Sequence, residues 1–533
     1  MGRGILFRRP NKYDMGRVSG RVLRERANMS FCIVIIFFAV FFVIVLTEIF
    51  LIDQSSRSRN RRPHSHQKSN YEDAVIIAQH GEDYLVYQGI AEEGRVGLFA
   101  RPQYLLPNQL SPFKPNINVS IPAKDGIWQT VVGTRYKFFV FSAYYDWRTT
   151  KLIRIMGATK TRGPDRVWCL FWYNASNTTH TVTGKVKVIR ENWNLKYSAC
   201  FVLCPIQGNT TVPDSVSIMG RSVLTPSNRL IVNRATGNKK IQPTPPPDKI
   251  GICVKPLHFA YNQTLQMLEF IELNSLLGMD HITFYNDSIS STTDCILRHY
   301  MRLGRVTVLP WKLDMASQRE IRTEGLFAAL NDCLYRSMYK FSFVALIDLD
   351  EIVMPKHNDT IQEFIEWMGT RINTKNTGSF SFQNAFFYLQ WPDDKSLSND
   401  PFESSLTTLR KTRRRLKLHP HKQRSKYICR PEHVIEAGNH FVWEFIPGHG
   451  TVNVPSDAAI LNHYRVCEFG GDDCVKSVSV VDRTAFRYKE KLVKRVREKW
   501  SQLRQECALS SIEDAQVKKR IVKKLDVNVE KFR

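Results

Sequence analysis

Between Lys249 and Asp350 the chain alternates short apolar runs with segments of helical length. "KIGICVKP" (249–256), "HITFYND" (281–287), "RVTVLPW" (305–311) and "FSFVALIDLD" (341–350) read as strands, and "TLQMLEFIELNSLLG" (264–278), "TDCILRHYMRLG" (293–304) and "EGLFAALNDCLYRSMYK" (324–340) read as helices. Parallel strands need crossover connections of this length, so the alternation predicts a doubly wound α/β sheet. Ligands in such sheets sit beyond the carboxyl ends of the strands. The fourth strand ends in "DLDE", which brings Asp348, Asp350 and Glu351 together where their repulsion must be offset. Residues two apart in an extended strand share a face, so Asp348 and Asp350 are expected to face one cavity while Leu349 faces the core and Glu351 points away. Hard carboxylate oxygens suit Mg2+ or Mn2+, which keep coordination positions for the phosphate oxygens of a substrate.

The sequence before this region has another character. "FCIVIIFFAVFFVIVLTEIFLI" (31–52) runs uncharged from Phe31 to Thr47 and is broken only by Glu48, close to the roughly 20 residues that span a bilayer. Residues 1–30 carry Arg3, Arg8, Arg9, Lys12, Arg17, Arg21, Arg24 and Arg26 against Asp14 and Glu25. A basic flank of this kind keeps the N-terminus cytosolic and predicts a signal-anchor with type II topology. Residues 53–70 are polar without apolar period and read as a stem. From 71 to 235 the apolar segments are short, β-rich and separated by Asn, Gly, Thr and Pro clusters, which predicts a β-rich, sandwich-like module. Residues 236–248 hold the proline run "PTPPP" and mark a linker. A domain over 249–505 and a basic tail over 506–533 complete the expected organisation. Seven N-x-S/T sequons (Asn118, Asn174, Asn177, Asn209, Asn262, Asn286 and Asn358) follow the apolar run. Ten of the eleven cysteines also follow it, an even number suited to disulfides in an oxidising lumen. The net charge of +26 is dispersed, and no zinc-finger, RRM or basic-zipper pattern accompanies it, so nucleic acid is not the expected partner.

Several motifs stand together in one order: "FVFSAYYDWR", "ICVKPLHF", "FIELNSLLGMDHITFYND", "ALNDCLYR", "FVALIDLDEIVMP", "SKYICRP" and "LNHYR". Over roughly 135–500 the chain resembles glycosyltransferase family 92. The resemblance implies a GT-A-like, Rossmann-type nucleotide-sugar transferase domain. It also implies an inverting transfer of galactose from UDP-galactose, in β-1,4 linkage, to a glycan acceptor in the Golgi. One departure is Gly325-Leu326, where the family pattern has Gly-Gln. By the same resemblance His463 of "LNHYR" joins Asp348 and Asp350 in a Mn2+ shell, and imidazole suits Mn2+ better than Mg2+.

Three further residues complete the expected site. Asn286, at the end of the second strand, is placed near the nucleotide, so its sequon is expected to stay unmodified. The run "RKTRRRLKLHPHKQRSK" (410–426) is read as a mobile basic loop closing on the diphosphate, with Lys426 as its phosphate contact. Among Asp393, Asp394, Glu403 and Glu444, Glu403 is chosen as the base that deprotonates the acceptor hydroxyl. The competing reading is a catalytically inactive membrane glycoprotein that binds a glycan or a partner. A nucleotide-cradling G-x-x-x-x-G-K-[ST] loop is absent from the sequence, which argues against a sulfotransferase.

Overall fold

The computed structural model describes residues 125–208, 211–222, 225–234, 248–467 and 472–512. The apolar run 31–52, the basic tail 1–30, the stem 53–70, most of the linker 236–248 and the last residues, 513–533, lie outside them. Among the described residues no helix is long and apolar enough to cross a membrane.

The β-rich module is built from β1 (Gln129–Thr130), β2 (Phe139–Asp146), β3 (Leu152–Lys160), β4 (Val167–Tyr173), β5 (Thr178–Val188), β6 (Tyr197–Pro205), β7 (Ser215–Met219) and β8 (Leu230–Asn233). The strand order is β1-β2-β3-β6-β5-β4-β7-β8, and β8 returns to pair with β2 at Ala143↔Val232 and Tyr144↔Asn233. The sheet therefore closes on itself. This corrects the expected sandwich: alternation within each strand reports one buried face, but it does not say whether a second sheet or the same sheet covers that face. Val140, Ile153, Ile155, Phe171, Val202 and Ile218 fill the interior. The Cys169–Cys204 disulfide crosses it, and both cysteines are fully buried.

The second part begins with β9 (Ile250–Cys253), α1 (Thr264–Leu276), β10 (His281–Asn286), α2 (Ser291–Arg302), β11 (Val306–Pro310), α3 (Leu326–Ser337) and β12 (Phe343–Leu346). Next come β13 (Glu351–Pro355), α4 (Ile361–Arg371), β14 (Thr377–Phe382), β15 (Asn384–Tyr388), β16 (Arg413–Arg415) and β17 (Lys426–Cys429). The chain continues through β18 (Val434–Ala437), β19 (Val442–Phe445), β20 (Gly450–Asn453), β21 (Ala459–Arg465), β22 (Ser479–Val481) and α5 (Lys489–Leu503). The main sheet runs β11-β10-β9-β12-β17-β14-β20, with the four alternating strands parallel as predicted and β17 antiparallel between β12 and β14. A smaller sheet, β13-β21-β15, stands beside it.

Two features of this packing position the site. Helix α1 buries an unbroken run from Met267 to Asn274, Glu269 and Glu272 included, because the sheet covers one side and α5 the other. Glu269 is buried with its oxygens accepting from the amides of Thr407 and Thr408 and from the Thr408 hydroxyl. Helix α3 packs against β2, β3 and β6 of the barrel and against β9 and β12 of the main sheet. A bulge between Val140 and Ser142 lets two successive residues, Phe141 and Ser142, serve this interface.

Disulfides join Cys253 to Cys333, Cys295 to Cys507 and Cys467 to Cys474, while Cys200 and Cys429 are free and buried. Cys507, Leu509 and Ile512 are buried in the main core. Packed structure thus continues past the boundary expected at 505, because the Cys295–Cys507 bond draws the chain after α5 back onto α2.

Candidate active site

The register of the main sheet creates the site. Leu346 of β12 pairs with Cys253 of β9, so two residues further on Lys255 and Asp348 leave adjacent strand ends at equivalent positions. Lys255 Nζ donates to Asp348 Oδ2 at 3.2 Å. On the other side of β12, Leu346 pairs with Tyr427 of antiparallel β17. That register brings Lys426 Nζ to the same Oδ2 at 3.1 Å and to Asn439 Oδ1 at 2.7 Å. All three ionic side chains are buried.

The expected extended D-x-D is corrected here. Strand β12 ends at Leu346, and Asp348 to Glu351 form a turn in which the Glu351 amide donates to the Asp348 carbonyl at 3.1 Å. The turn carries the chain from the main sheet into the smaller one, so the period of two no longer applies. Glu351 consequently does not point away. Its Oε2 accepts from the Asp348 amide at 2.9 Å and lies 3.6 Å from Lys426 Nζ.

His463 arrives from β21, the central strand of the smaller sheet, directly opposite Glu351 of β13 and beside Phe386 of β15. Its Nε2 lies 3.1 Å from Asp350 Oδ2, and its Nδ1 lies 3.3 Å from Glu351 Oε1 and 3.1 Å from Asn384 Nδ2. Burial lowers the imidazole below its ordinary value against the pull of Asp350, so the ring is neutral near pH 7. Burial also favours a neutral Asp350, but the His463 contact with Lys255 and Arg465 outweighs it and holds that carboxyl at about 2. Glu351 moves the other way: burial raises it well above the carboxylate range despite Lys426, and the charges of Asp348 and Asp350 add to the rise.

Three sequence-predicted site residues, Asp348, Asp350 and His463, thus come together around one turn. Asp350 Oδ2 and His463 Nε2 converge closely, while Asp348 Oδ2 is held by two lysines. Among the described residues no group of three His, Cys, Asp or Glu side chains is arrayed to hold a metal by itself. A carboxylate and an imidazole that converge do fit a hard cation completed by substrate phosphate oxygens and water.

The other predicted residues are placed differently. Lys426 is corrected from a mobile-loop residue to a buried residue of β17, and the basic run before it is folded, with Arg413–Arg415 paired to β22. Arg424 and Arg465 lie over the ring of Phe386, at 5.5 and 4.9 Å from its centre. Asn286 ends β10, its carbonyl taken by the Trp311 amide and its side chain half-buried.

Glu403 is corrected as the base. Its carboxylate accepts from the Ser398 amide and hydroxyl at 3.0 and 2.7 Å and pairs with Lys489 of α5 at 2.6 Å, which makes it the latch of its loop. The alternatives are also engaged: Asp393 pairs with Lys411, Asp394 with Arg483, and Glu444 with Lys187.

A second pair of residues, His258 after β9 and Glu324 before α3, was not singled out from the sequence. His258 is buried, with Nδ1 3.2 Å from Glu324 Oε2. Glu324 is the middle of three successive residues with positive φ, Thr323 (39°), Glu324 (49°) and Gly325 (78°), immediately before α3. Only the glycine adopts this conformation without strain. The Glu324 carbonyl accepts from Trp311 Nε1 at 2.6 Å, which helps hold the segment. Burial pushes the Glu324 carboxyl up to about 7, against the Ser317 hydrogen bond, and burial with Lys255 pushes His258 down to about 3. The sequence signal was slight, a glycine one residue before a helix.

The sequence model of glycosyltransferase family 92 matches residues 248–511. A glycosyltransferase family 92 protein of Caenorhabditis elegans is 26% identical over 26% of this chain and 29% of its own length. A β-1,4-galactosyltransferase of the same organism, galt-1, is 23% identical over 41% of this chain and 51% of its own length. The chain thus spans about half or less of the curated relatives it matches. Among solved structures, glucosyl-3-phosphoglycerate synthase from Mycobacterium tuberculosis aligns with 50% of this chain and 82% of its own, at 16% identity and a TM-score of 0.22.

Proposed function

We propose, from the premise that residues 248–511 are a glycosyltransferase family 92 domain, that this protein transfers a hexose from a nucleotide-diphosphate sugar to a glycan acceptor. The observation that carries the reading is the meeting of Asp350, His463, Asp348 and Lys255 at the carboxyl ends of β9 and β12. Asp350 and His463, with Asp348 beside them, would hold a divalent cation, whose chemistry is to offset charge growing on the leaving diphosphate. Lys255 and Lys426 both contact Asp348 Oδ2 and add positive potential at the same edge. Arg424 and Arg465 extend that potential along the Phe386 side. UDP-galactose as donor, Mn2+ as cation, β-linkage and inversion of configuration form the finer reading, supported by the name of the galactosyltransferase relative and by the Asp/His donor set.

The cellular setting belongs to the same proposal. Residues 31–52 act as a signal-anchor, residues 1–30 are cytosolic and the remainder lies in the Golgi lumen. Four disulfides among the described residues support an oxidising compartment, and Asn174, Asn177 and Asn262 are exposed sequons.

The test uses the secreted fragment 71–533, offered a panel of UDP-sugars with glycan acceptors and Mn2+. Transfer of galactose that is lost on chelation, and lost in Asp350→Asn with the fold retained, is the expected result. Turnover that survives thorough chelation removes the cation from the reading, and no transfer from any UDP-sugar removes the enzyme.

A further inference from the structure

The hairpin of β18 and β19 turns at residues 438–441, where the Gly438 amide donates to the Phe441 carbonyl at 3.1 Å. This turn touches the barrel on one side and β17 on the other. On the barrel side Glu191, three residues past the end of β5, accepts through Oε2 from the Asn439 amide at 2.9 Å and from Trp443 Nε1 at 3.1 Å. On the β17 side Asn439 Oδ1 accepts from Lys426 Nζ at 2.7 Å, and Lys426 Nζ donates to Asp348 Oδ2 at 3.1 Å. A continuous series of hydrogen bonds thus runs from a barrel residue to the candidate site.

The surroundings determine each link. The Ser425 carbonyl can only accept, so His440 Nδ1, 3.1 Å away, carries the proton and leaves the Nε2 lone pair for Asn439 Nδ2 at 3.1 Å. That sets the Asn439 amide with its oxygen toward Lys426. The Gly438 carbonyl accepts from the Tyr427 hydroxyl at 2.8 Å, so the turn engages two successive residues of β17. A Cβ at Gly438 would meet Glu191 Oε2 and the Trp443 ring at 2.6 Å, which leaves room for glycine alone. Ion pairs hold the hairpin to the same barrel segment: Lys187 Nζ lies 2.6 Å from Glu444 and 3.0 Å from Glu436, and the Arg190 amide donates to Glu436 Oε1 at 2.8 Å.

We infer that Glu191 is a positioning residue through which the barrel takes part in the transfer: it holds Asn439, and Asn439 holds the Lys426 ammonium against Asp348. The inference rests on the transfer reading proposed above. Asn439 is buried, so water cannot replace a lost acceptor at its amide, and an orphaned buried N–H is costly enough to move the turn. Lys426 follows, because Asn439 Oδ1 is nearer to its Nζ than the carboxylates of Asp348 or Glu351, at 3.1 and 3.6 Å.

The test uses the secreted fragment 71–533, which contains every described residue, and compares Glu191→Ala with Glu191→Gln, whose side-chain oxygen can still accept from both donors. With the donor and acceptor that the parent uses, Glu191→Ala should lower kcat by about 10-fold with little change in KM for the donor, and Glu191→Gln should recover most of the rate. Proton-detected nitrogen NMR of the lysine ammonium groups gives a readout apart from turnover. The Lys426 signal, identified by its absence in Lys426→Arg, should shift in Glu191→Ala and stay in place in Glu191→Gln. Gly438→Ala, whose methyl group presses the Glu191 carboxylate away, should move the same signal and serves where Glu191→Ala does not fold.

A Lys426 signal that stays in place in these variants overturns the inference, as does a Glu191→Gln variant as slow as Glu191→Ala. A parent that transfers no sugar overturns the transfer reading instead, and the ammonium signal then decides whether Glu191 positions Lys426.

Discussion

Glu324 is a carboxyl group held at about 7 in a strained stretch of backbone, and that combination has a measurable cost. Its ordinary value is 4.5. Below that pH the folded and unfolded chains both hold the proton; between about 4.5 and 7 only the folded chain does, so stability falls as pH rises through this window, by about 3 kcal/mol in total. Glu324→Gln should remove the fall, and the gap between variant and parent melting temperatures should widen in the variant's favour from pH 5 to pH 7; parallel curves would refute the assignment. The two aspartates of the turn are predicted to behave unequally for a related reason. Asp348→Asn removes the carboxylate that the buried Lys255 and Lys426 share, which costs about 3–5 kcal/mol. Asp350→Asn faces a neutral imidazole and should be nearer neutral for stability while abolishing most turnover. Denaturant midpoints beside transfer rates check the pair. The residue types of this site were legible in "DLDE" and "LNHYR", but their partners were not: Lys255 and Lys426 meet Asp348 through strand register, which no local pattern encodes.

Among the elements, α3 does most to join the two halves. Asp332 on this helix is fully buried and accepts from Ser142 Oγ at 2.5 Å, Tyr144 OH at 2.7 Å, Tyr285 OH at 2.7 Å and Arg336 Nε at 3.1 Å. Its partners come from the barrel, from β10 and from its own next turn. Arg148 answers it nearby, joining Asp146, the Tyr335 hydroxyl and the carbonyls of Pro431, Glu432 and Val434. Asp332→Ala strands three hydroxyls at once and leaves Arg336 only its pairing with Asp125, and is expected to cost about 3–5 kcal/mol, read as one shifted cooperative transition rather than as loss of the barrel alone. The alternating strands and helices from 249 to 346 were readable from the lengths of their apolar segments and the polar breaks between them. The end of β12 was not: "ALIDLD" has the composition of a strand to its last residue, and only pairing with a second sheet turns the chain at Asp348. The motif "FVFSAYYDWR" shows the same limit, for its polar residues serve an interface with a helix nearly two hundred positions away.

At the scale of the whole molecule, the barrel and the α/β region share one apolar cluster, in which Phe141, Tyr144 and Phe201 pack with Leu326, Leu330 and Tyr335. A fragment beginning at 249 therefore exposes the barrel side of α3 and should aggregate, whereas one beginning near 125 should unfold in a single transition; light scattering beside calorimetry distinguishes them. The native described region should also resist alkylation at Cys200 and Cys429, whose thiols burial pushes up, and take two labels there only after denaturation without reduction. The Cys295–Cys507 bond closes a span of 212 residues, and this has a consequence for the order of events during synthesis. At about 5–20 residues per second, Cys295 waits on the order of 10–40 s before its partner is made. In an oxidising compartment Cys253 and Cys333 are completed well within that interval. Folding of this chain in such a compartment should accordingly depend on an isomerase more than its modest number of disulfides suggests, and a ribosome-stalled chain ending before Cys507 should carry Cys295 as a thiol or in a borrowed, non-native pair.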